Sequence, residues 1–132
     1  MFFKRKDLGR VYVIRMLLLD GTVVHKVGMT HSDRATDRFF EILRSWFNTF
    51  RYVPASRLRL DHECENPEAI EKFMHKVLKE YKYSPGKPVQ GHTEMFAGVD
   101  EVRLIHFLSN TDKAIKGVSD NHYKILGKLL AG

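Results

Sequence analysis

Arg10–Thr30 reads RVYVIRMLLLDGTVVHKVGMT, and how this stretch turns decides the fold. Two runs rich in β-branched and apolar residues meet at Asp20-Gly21, a pair that marks a hairpin because glycine takes φ > 0 without steric cost. Loop length then sets which side chains share a face, since a slip of one residue moves every side chain to the other side. A two-residue loop, Asp20-Gly21, pairs Leu19 with Thr22 and sends Tyr12 and Lys26 to opposite faces. A three-residue loop, Leu19-Asp20-Gly21 with Gly21 left-handed at a bulge, pairs Leu18 with Thr22 instead. Tyr12, Ile14, Met16, Val24 and Lys26 then share one face, and Val11, Val13, Leu17, Leu19, Val23 and Val27 the other. We expect the second register. It leaves one face nearly all apolar and puts a polar, chemically useful pair on the other. Arg15 and His25, opposite each other on the apolar face, are its exceptions. The second run closes in Lys26-Val27-Gly28, where a glycine permits a sharp turn or a close approach to the backbone.

Beyond the hairpin, Ser32, Asp33 or Thr36 can cap a helix running to about Asn48. Phe39, Phe40, Leu43, Trp46, Phe47 and Phe50 recur at helical spacing and read as its core face rather than as a platform for stacked bases. Arg38 sits beside that stripe, at the end nearest Gly28, with Arg34 one turn earlier. A guanidinium presents a fixed fork of donors that fits a phosphate. Ser56–His62, SRLRLDH, alternates and reads as a third, half-buried strand: Leu58 and Leu60 face in, while Arg57, Arg59 and Asp61 face out. Asn66-Pro67 opens the next helix as N-cap and first helical residue. Glu68 and Glu71 suit its dipole. Its apolar stripe runs from Ala69 to Tyr81, with His75 at the stripe's edge, in reach of a pairing with Glu71. Tyr83–His92, YSPGKPVQGH, is a loop, and Thr93-Glu94-Met95-Phe96 a short strand or turn. Asp100 caps a helix holding Val102, Ile105 and Leu108, and one or two short helices fill Thr111–Gly132. His62 and Cys64 lack a second ligand pair at zinc spacing, so a zinc site is rejected.

The length, 132 residues, suits one domain, large enough to bury a core without staples. With a single cysteine, Cys64, there is no internal disulfide, which fits a reducing compartment. No apolar run approaches the ~18 residues of a membrane helix, and Met1–Arg10 lacks the apolar segment of a signal peptide. A cytoplasmic protein is expected. The net charge of +6 is unevenly placed. Up to Leu60 there are 12 Lys and Arg against 5 Asp and Glu, a balance of +7; from Asp61 onward, 10 against 11, a balance of −1. A one-sided basic surface suits a polyanion. Lys4, Arg5 and Lys6 in the N-terminal lead, with Arg34, Arg57 and Arg59, are the candidate phosphate contacts.

Tyr12 in Val11-Tyr12-Val13-Ile14 and the later Lys26-Val27-Gly28 resemble the two short motifs that name the GIY-YIG nuclease superfamily. The likeness is to a phage and bacterial branch whose second motif begins with Lys. Arg38, His75 in EKFMHKVL and Glu94 in TEMF follow in the expected order, so the resemblance covers about Val11 to Leu108. Two positions depart from the name motif: its first Gly is Arg10 or Val11 here, and its second Tyr is Lys26. The resemblance implies a Mg²⁺-dependent DNA endonuclease, with Mn²⁺ as a substitute, encoded by a phage or mobile element. Tyr12 would be the general base, Lys26 and Arg38 the cations beside it and the phosphate, and His75 an aid to proton transfer or phosphate positioning. Glu94 would hold the metal, since Mg²⁺ keeps most of its water and needs few protein ligands.

The expected fold is therefore α+β: a small, mostly antiparallel three-stranded sheet that starts with a hairpin, flanked by helices. Residues 1–108 would form the nuclease-like domain, and residues 109–132 a helical extension packed on it. Two rivals stand beside the endonuclease: a module on the same scaffold that binds DNA without cutting it, and a phage protein that binds and inhibits a host protein.

Overall fold

The computed structural model describes residues 8–32, 34–111 and 119–132. Lys4, Arg5 and Lys6 lie outside the described residues. Strands β1 (Leu8–Leu17) and β2 (Val23–Thr30) form the hairpin, followed by α1 (Thr36–Phe50), β3 (Ala55–Glu65), α2 (Pro67–Val77), β4 (Met95–Ala97), α3 (Glu101–Ser109) and α4 (Asp120–Leu130). The sheet has four strands in the order β3-β1-β2-β4, all pairs antiparallel. Three strands were expected. The fourth is only three residues long, too short to show an alternation, and follows a loop rich in Pro and Gly. Among the described residues no helix is long and apolar enough to cross a membrane.

The hairpin adopts the three-residue loop. Leu18 N–H donates to Thr22 O at 2.9 Å, Gly21 N–H to Leu18 O at 3.0 Å, and Gly21 has φ 86°. Tyr12 therefore pairs with Gly28 and Ile14 with Lys26, which puts Tyr12 and Lys26 on one face. That face, with Ile14, Met16, Leu18 and Val24, packs against Ala35, Ile42 and Trp46 of the α1 segment. The opposite face, with Val11, Val13 and Val27, packs against Ile70, Phe73, Met74 and Val77 of α2, Leu104 and Leu108 of α3, and Leu130 of α4. The result is a sheet between two helical layers, each covering one parity of the hairpin. At the end of the chain, Val99 bridges Ala131, and Asp100 N–H donates to Leu130 O at 2.8 Å.

Of the two exceptions on the apolar face, His25 finds a partner. His25 is buried, and its Nε2 lies 3.2 Å from Glu101 of α3, which also accepts from Arg59 Nε at 3.1 Å. Burial pushes the His25 imidazole below its ordinary pKa, against the pull of Glu101, so this contact holds the ring in the core mainly as a neutral group.

Two packing expectations need correction. Register shifts between Val13 and Ile14, which face Leu60 and Leu58, so Arg59 is an extra residue in β3. A bulge of this kind breaks the alternation. Leu60 packs on the α2 side and Leu58 on the α1 side, rather than both facing one core. The aromatic stripe of α1 is also divided. Ile42 and Trp46 form the buried line, with Phe39 and Phe50 partly packed, whereas Phe40 and Phe47 are 59% and 45% exposed.

Candidate active site

The hairpin carries Tyr12 and Lys26 into a space bounded by α1, α2 and the segment before β4. Lys26 Nζ donates to Tyr12 Oη at 2.9 Å and stands 4.7 Å from the ring centroid. Both residues are 0% exposed. A buried ammonium needs an anion, and Lys26 also donates to the Glu94 carboxylate, which is 23% exposed. Glu94 reaches it because Met95 pairs with Lys26 across β2 and β4, and a 3₁₀ turn, His92–Glu94, ends one residue before.

Glycines make the close approach possible. A Cβ on Gly28 would lie 2.5 Å from both Tyr12 Cζ and Oη and 2.6 Å from Lys26 Nζ. One on Gly91 would fall onto the Lys26 stem.

Arg38 enters from the first turns of α1. Asp61 on β3, in register with Tyr12, accepts from Ala35 N–H at 3.1 Å and so ties the start of the helix to the sheet, in place of a cap from Ser32 or Thr36. Burial works against the charge of Arg38, but hydrogen bonding and attraction to Tyr12, and then to Glu41, outweigh it and raise its pKa. Its Nη1 also donates to Glu41 at 2.8 Å, and the side chain remains 33% exposed.

A fifth member, Glu71, comes from α2. From the sequence it is expected only to suit the helix dipole or to pair with His75. β4 pairs only with Val24–Lys26, which leaves the later part of β2 as an open edge that α2 covers. Glu71 accepts from Met29 N–H and hydrogen-bonds Glu94; one turn on, His75 Nε2–H donates to Val27 O at 3.0 Å. Two side chains four residues apart thus cap a donor and an acceptor of the exposed strand. His75 is turned to the backbone with its ring 5.6 Å from Phe96; the expected pairing with Glu71 does not form. The available signal was an acidic residue one turn before His75 on the flank of the stripe.

Burial first, then the charge of Glu94, pushes the Glu71 carboxyl up from an ordinary 4.5 to about 7, against the pull of Lys26. A carboxyl and a carboxylate in hydrogen-bond contact share one proton below that pH. The folded state then keeps a proton that the unfolded chain loses above about 4.5. Stability from this group is full below that pH and is lost as pH rises through about 7. In EDTA, the melting temperature of the wild type is expected to fall between the two ends of this window by on the order of 5 °C. Glu71→Gln, which cannot ionise, should flatten that fall; an equal fall in the variant would show that Glu71 does not hold the proton.

The other candidates lie elsewhere. Arg57 pairs in register with Arg15, which pairs with His25, so Arg57 faces away from Tyr12. Arg59 joins Glu101 on the α3 side. Arg34 is exposed just before α1 and 3.7 Å from Asp37. Among the described residues no group of three or more His, Cys, Asp and Glu side chains is arranged to hold a metal ion. The site is instead a continuous chain of contacts, from the Glu71–Glu94 carboxyl pair through Lys26 and the buried Tyr12 hydroxyl to Arg38, with Glu94 and Arg38 partly exposed.

The profile of the T5orf172 domain, a GIY-YIG-like family associated with phage nucleases, matches residues 9–116. No curated protein and no solved structure matches the chain.

Proposed function

The chain belongs to the T5orf172 domain family, within a nuclease-like superfamily, and on that premise we propose that it is a Mg²⁺-dependent endonuclease that hydrolyses DNA phosphodiester bonds at the Tyr12–Lys26–Arg38 cluster. The observation that carries this reading is the position of the Tyr12 hydroxyl, between the Lys26 ammonium at 2.9 Å and the Arg38 guanidinium. A neutral phenol is a poor base, so the proton-accepting species is the phenolate, whose charge the two cations beside the oxygen would balance.

Arg38 and Glu94 are the partly exposed members and are the ones to meet substrate; Tyr12 and Lys26 lie beneath them. The Arg38 fork neutralises charge that grows on the non-bridging phosphate oxygens. Tyr12, as the phenolate left once its own proton has gone to solvent, takes the proton of the attacking water when Glu94 and Arg38 turn toward the phosphate. Lys26 holds the oxygen in place; its charge balances the phenolate before the transfer, which leaves a neutral hydroxyl. His75, bound to Val27 O, acts by holding the end of β2 rather than by moving protons.

The donor set fits Mg²⁺. Glu71 and Glu94 are adjacent carboxyl groups that share a proton and lean on an ammonium, an arrangement that a divalent cation relieves, and Mg²⁺ takes the rest of its shell from water and phosphate. Bound there, it supplies Lewis acidity at the phosphate. A readout separate from cleavage follows. At a pH above about 7, Mg²⁺ is expected to raise the melting temperature of the wild type by mass action. Glu94→Gln should abolish that rise. A rise of equal size in the variant places the metal elsewhere.

The test of function is incubation with supercoiled plasmid and Mg²⁺ beside an EDTA control. Nicking that EDTA stops is expected; binding without nicking overturns the catalytic reading. One observation favours that alternative, a DNA-binding module that does not cut: Tyr12 and Lys26 are fully buried, and Lys26 is already satisfied by Tyr12 and Glu94.

A further inference from the structure

Helix α1 turns Arg38 into the candidate site and Ile42 and Trp46 into the core, yet it leaves two phenylalanines outside. Phe40 and Phe47 are 59% and 45% exposed. They are seven residues apart, two helical turns, on one side of the helix. Arg44 lies between them, four residues from one and three from the other, and is exposed. Nearby Glu41 is held by Arg38 at 2.8 Å and attracted only at longer range by Arg44. Exposed Arg51 follows at the helix end. Phe40 is further held by Phe39, whose ring lies nearly parallel to it at 15° and 6.0 Å.

Single exposed apolar residues are ordinary. Two flat rings with a guanidinium between them and another beyond are a combination that selects its ligand. An apolar protein surface laid on the rings would strip Arg44 of water and leave it only its longer-range attraction to a Glu41 that Arg38 already holds, which is costly. A polyanion that also offers flat aromatic faces satisfies both kinds of group. Duplex DNA offers phosphates but keeps its bases stacked inside; unpaired bases are free to lie on the rings. The rings are about 10 Å apart along the helix axis, at about 1.5 Å per residue, which matches about three base steps of 3.4 Å.

We propose that the Phe40–Arg44–Phe47 ridge of α1 binds unpaired nucleotides, so that the substrate is DNA with a single-stranded segment. The substrate assignment rests on the endonuclease reading above; the binding surface does not.

The test measures binding in EDTA at fixed low salt, by fluorescence anisotropy, with labelled oligothymidylate and with a fully paired duplex of the same length. The paired change Phe40→Ala with Phe47→Ala is expected to weaken oligothymidylate binding about tenfold or more and to leave duplex binding unchanged. Phe40→Leu with Phe47→Leu keeps the apolar bulk without the ring and should behave like the alanine pair. Phe40→Trp with Phe47→Trp should hold wild-type affinity. Both rings are largely exposed, so the fold is expected to tolerate all three pairs, and an unchanged melting temperature checks this. The proposal is overturned if the wild type does not bind oligothymidylate, if the leucine pair binds as the wild type does, or if the alanine pair changes only the sedimentation of the protein, which would assign the ridge to self-association. The two readings fail separately. Absence of plasmid nicking with the ring dependence intact removes catalysis and keeps the ridge. Nicking without ring dependence does the reverse.

Discussion

Tyr12→Phe is expected to lower the rate of Mg²⁺-dependent nicking by about 10²- to 10⁴-fold, the usual worth of a general base, while the fold and the affinity for DNA persist. The change removes one oxygen. The ring stays packed in the α1-side core with Ile14 and Met16, so no cavity opens. Lys26 loses the acceptor at 2.9 Å but keeps Glu94, and the stability cost should be about 1 kcal/mol. Single-turnover nicking of plasmid already bound to the protein separates the chemical step from binding. A variant that nicks at the wild-type rate would reduce Tyr12 to a packing residue that anchors Lys26.

Gly28→Ala is expected to abolish activity and to destabilise the protein together, through one methyl group. The backbone at Gly28 is not in the left-handed region, so alanine meets no conformational penalty there. The new Cβ would instead meet the Tyr12 ring and hydroxyl at 2.5 Å and the Lys26 ammonium at 2.6 Å. Neither can retreat, because both are fully buried and the Lys26 stem already lies against Gly91. Overpacking of this kind costs about 3 kcal/mol, a fall in melting temperature on the order of 10 °C, and it breaks the Lys26–Tyr12 hydrogen bond. Gly21→Ala is the contrasting control. Gly21 has φ 86° with open space around it, so alanine there costs about 1 kcal/mol of backbone strain and should leave the activity of the folded protein intact. Equal activity in Gly28→Ala and the wild type would show that the Tyr12–Lys26 contact is not needed for the reaction.

Much of this arrangement is local and therefore legible in the chain. The parity of the hairpin follows from Asp20-Gly21 and from which residues must be buried, and it alone puts Tyr12 beside Lys26. Arg38 follows from its distance beyond Gly28 and its place in the first turns of an amphipathic helix. Periodicity reports which residues share a stripe, but not which flank of the stripe a neighbour covers. Spacing alone therefore predicts a wholly buried α1 stripe, whereas the sheet takes the Ile42–Trp46 side and leaves Phe40 and Phe47 in solvent. Likewise, alternation along β3 said nothing of the bulge at Arg59, which arises from pairing with β1 and sends the next leucine to the other layer.

The chain by itself determined the hairpin, the helices and the pairing of a phenol with an ammonium, because each depends on residues close in sequence. Only the tertiary structure decided the acidic end of the site. Glu71 meets Glu94 because β4 stops after three residues and leaves the end of β2 for α2 to cover. That edge turns one face of α2 inward, engaging His75 with Val27 O and Glu71 with Met29 N–H and its fellow carboxylate. Burial and a like charge then raise Glu71 to about 7, a property that no pattern of neighbours along the chain could carry, since both causes arrive through space.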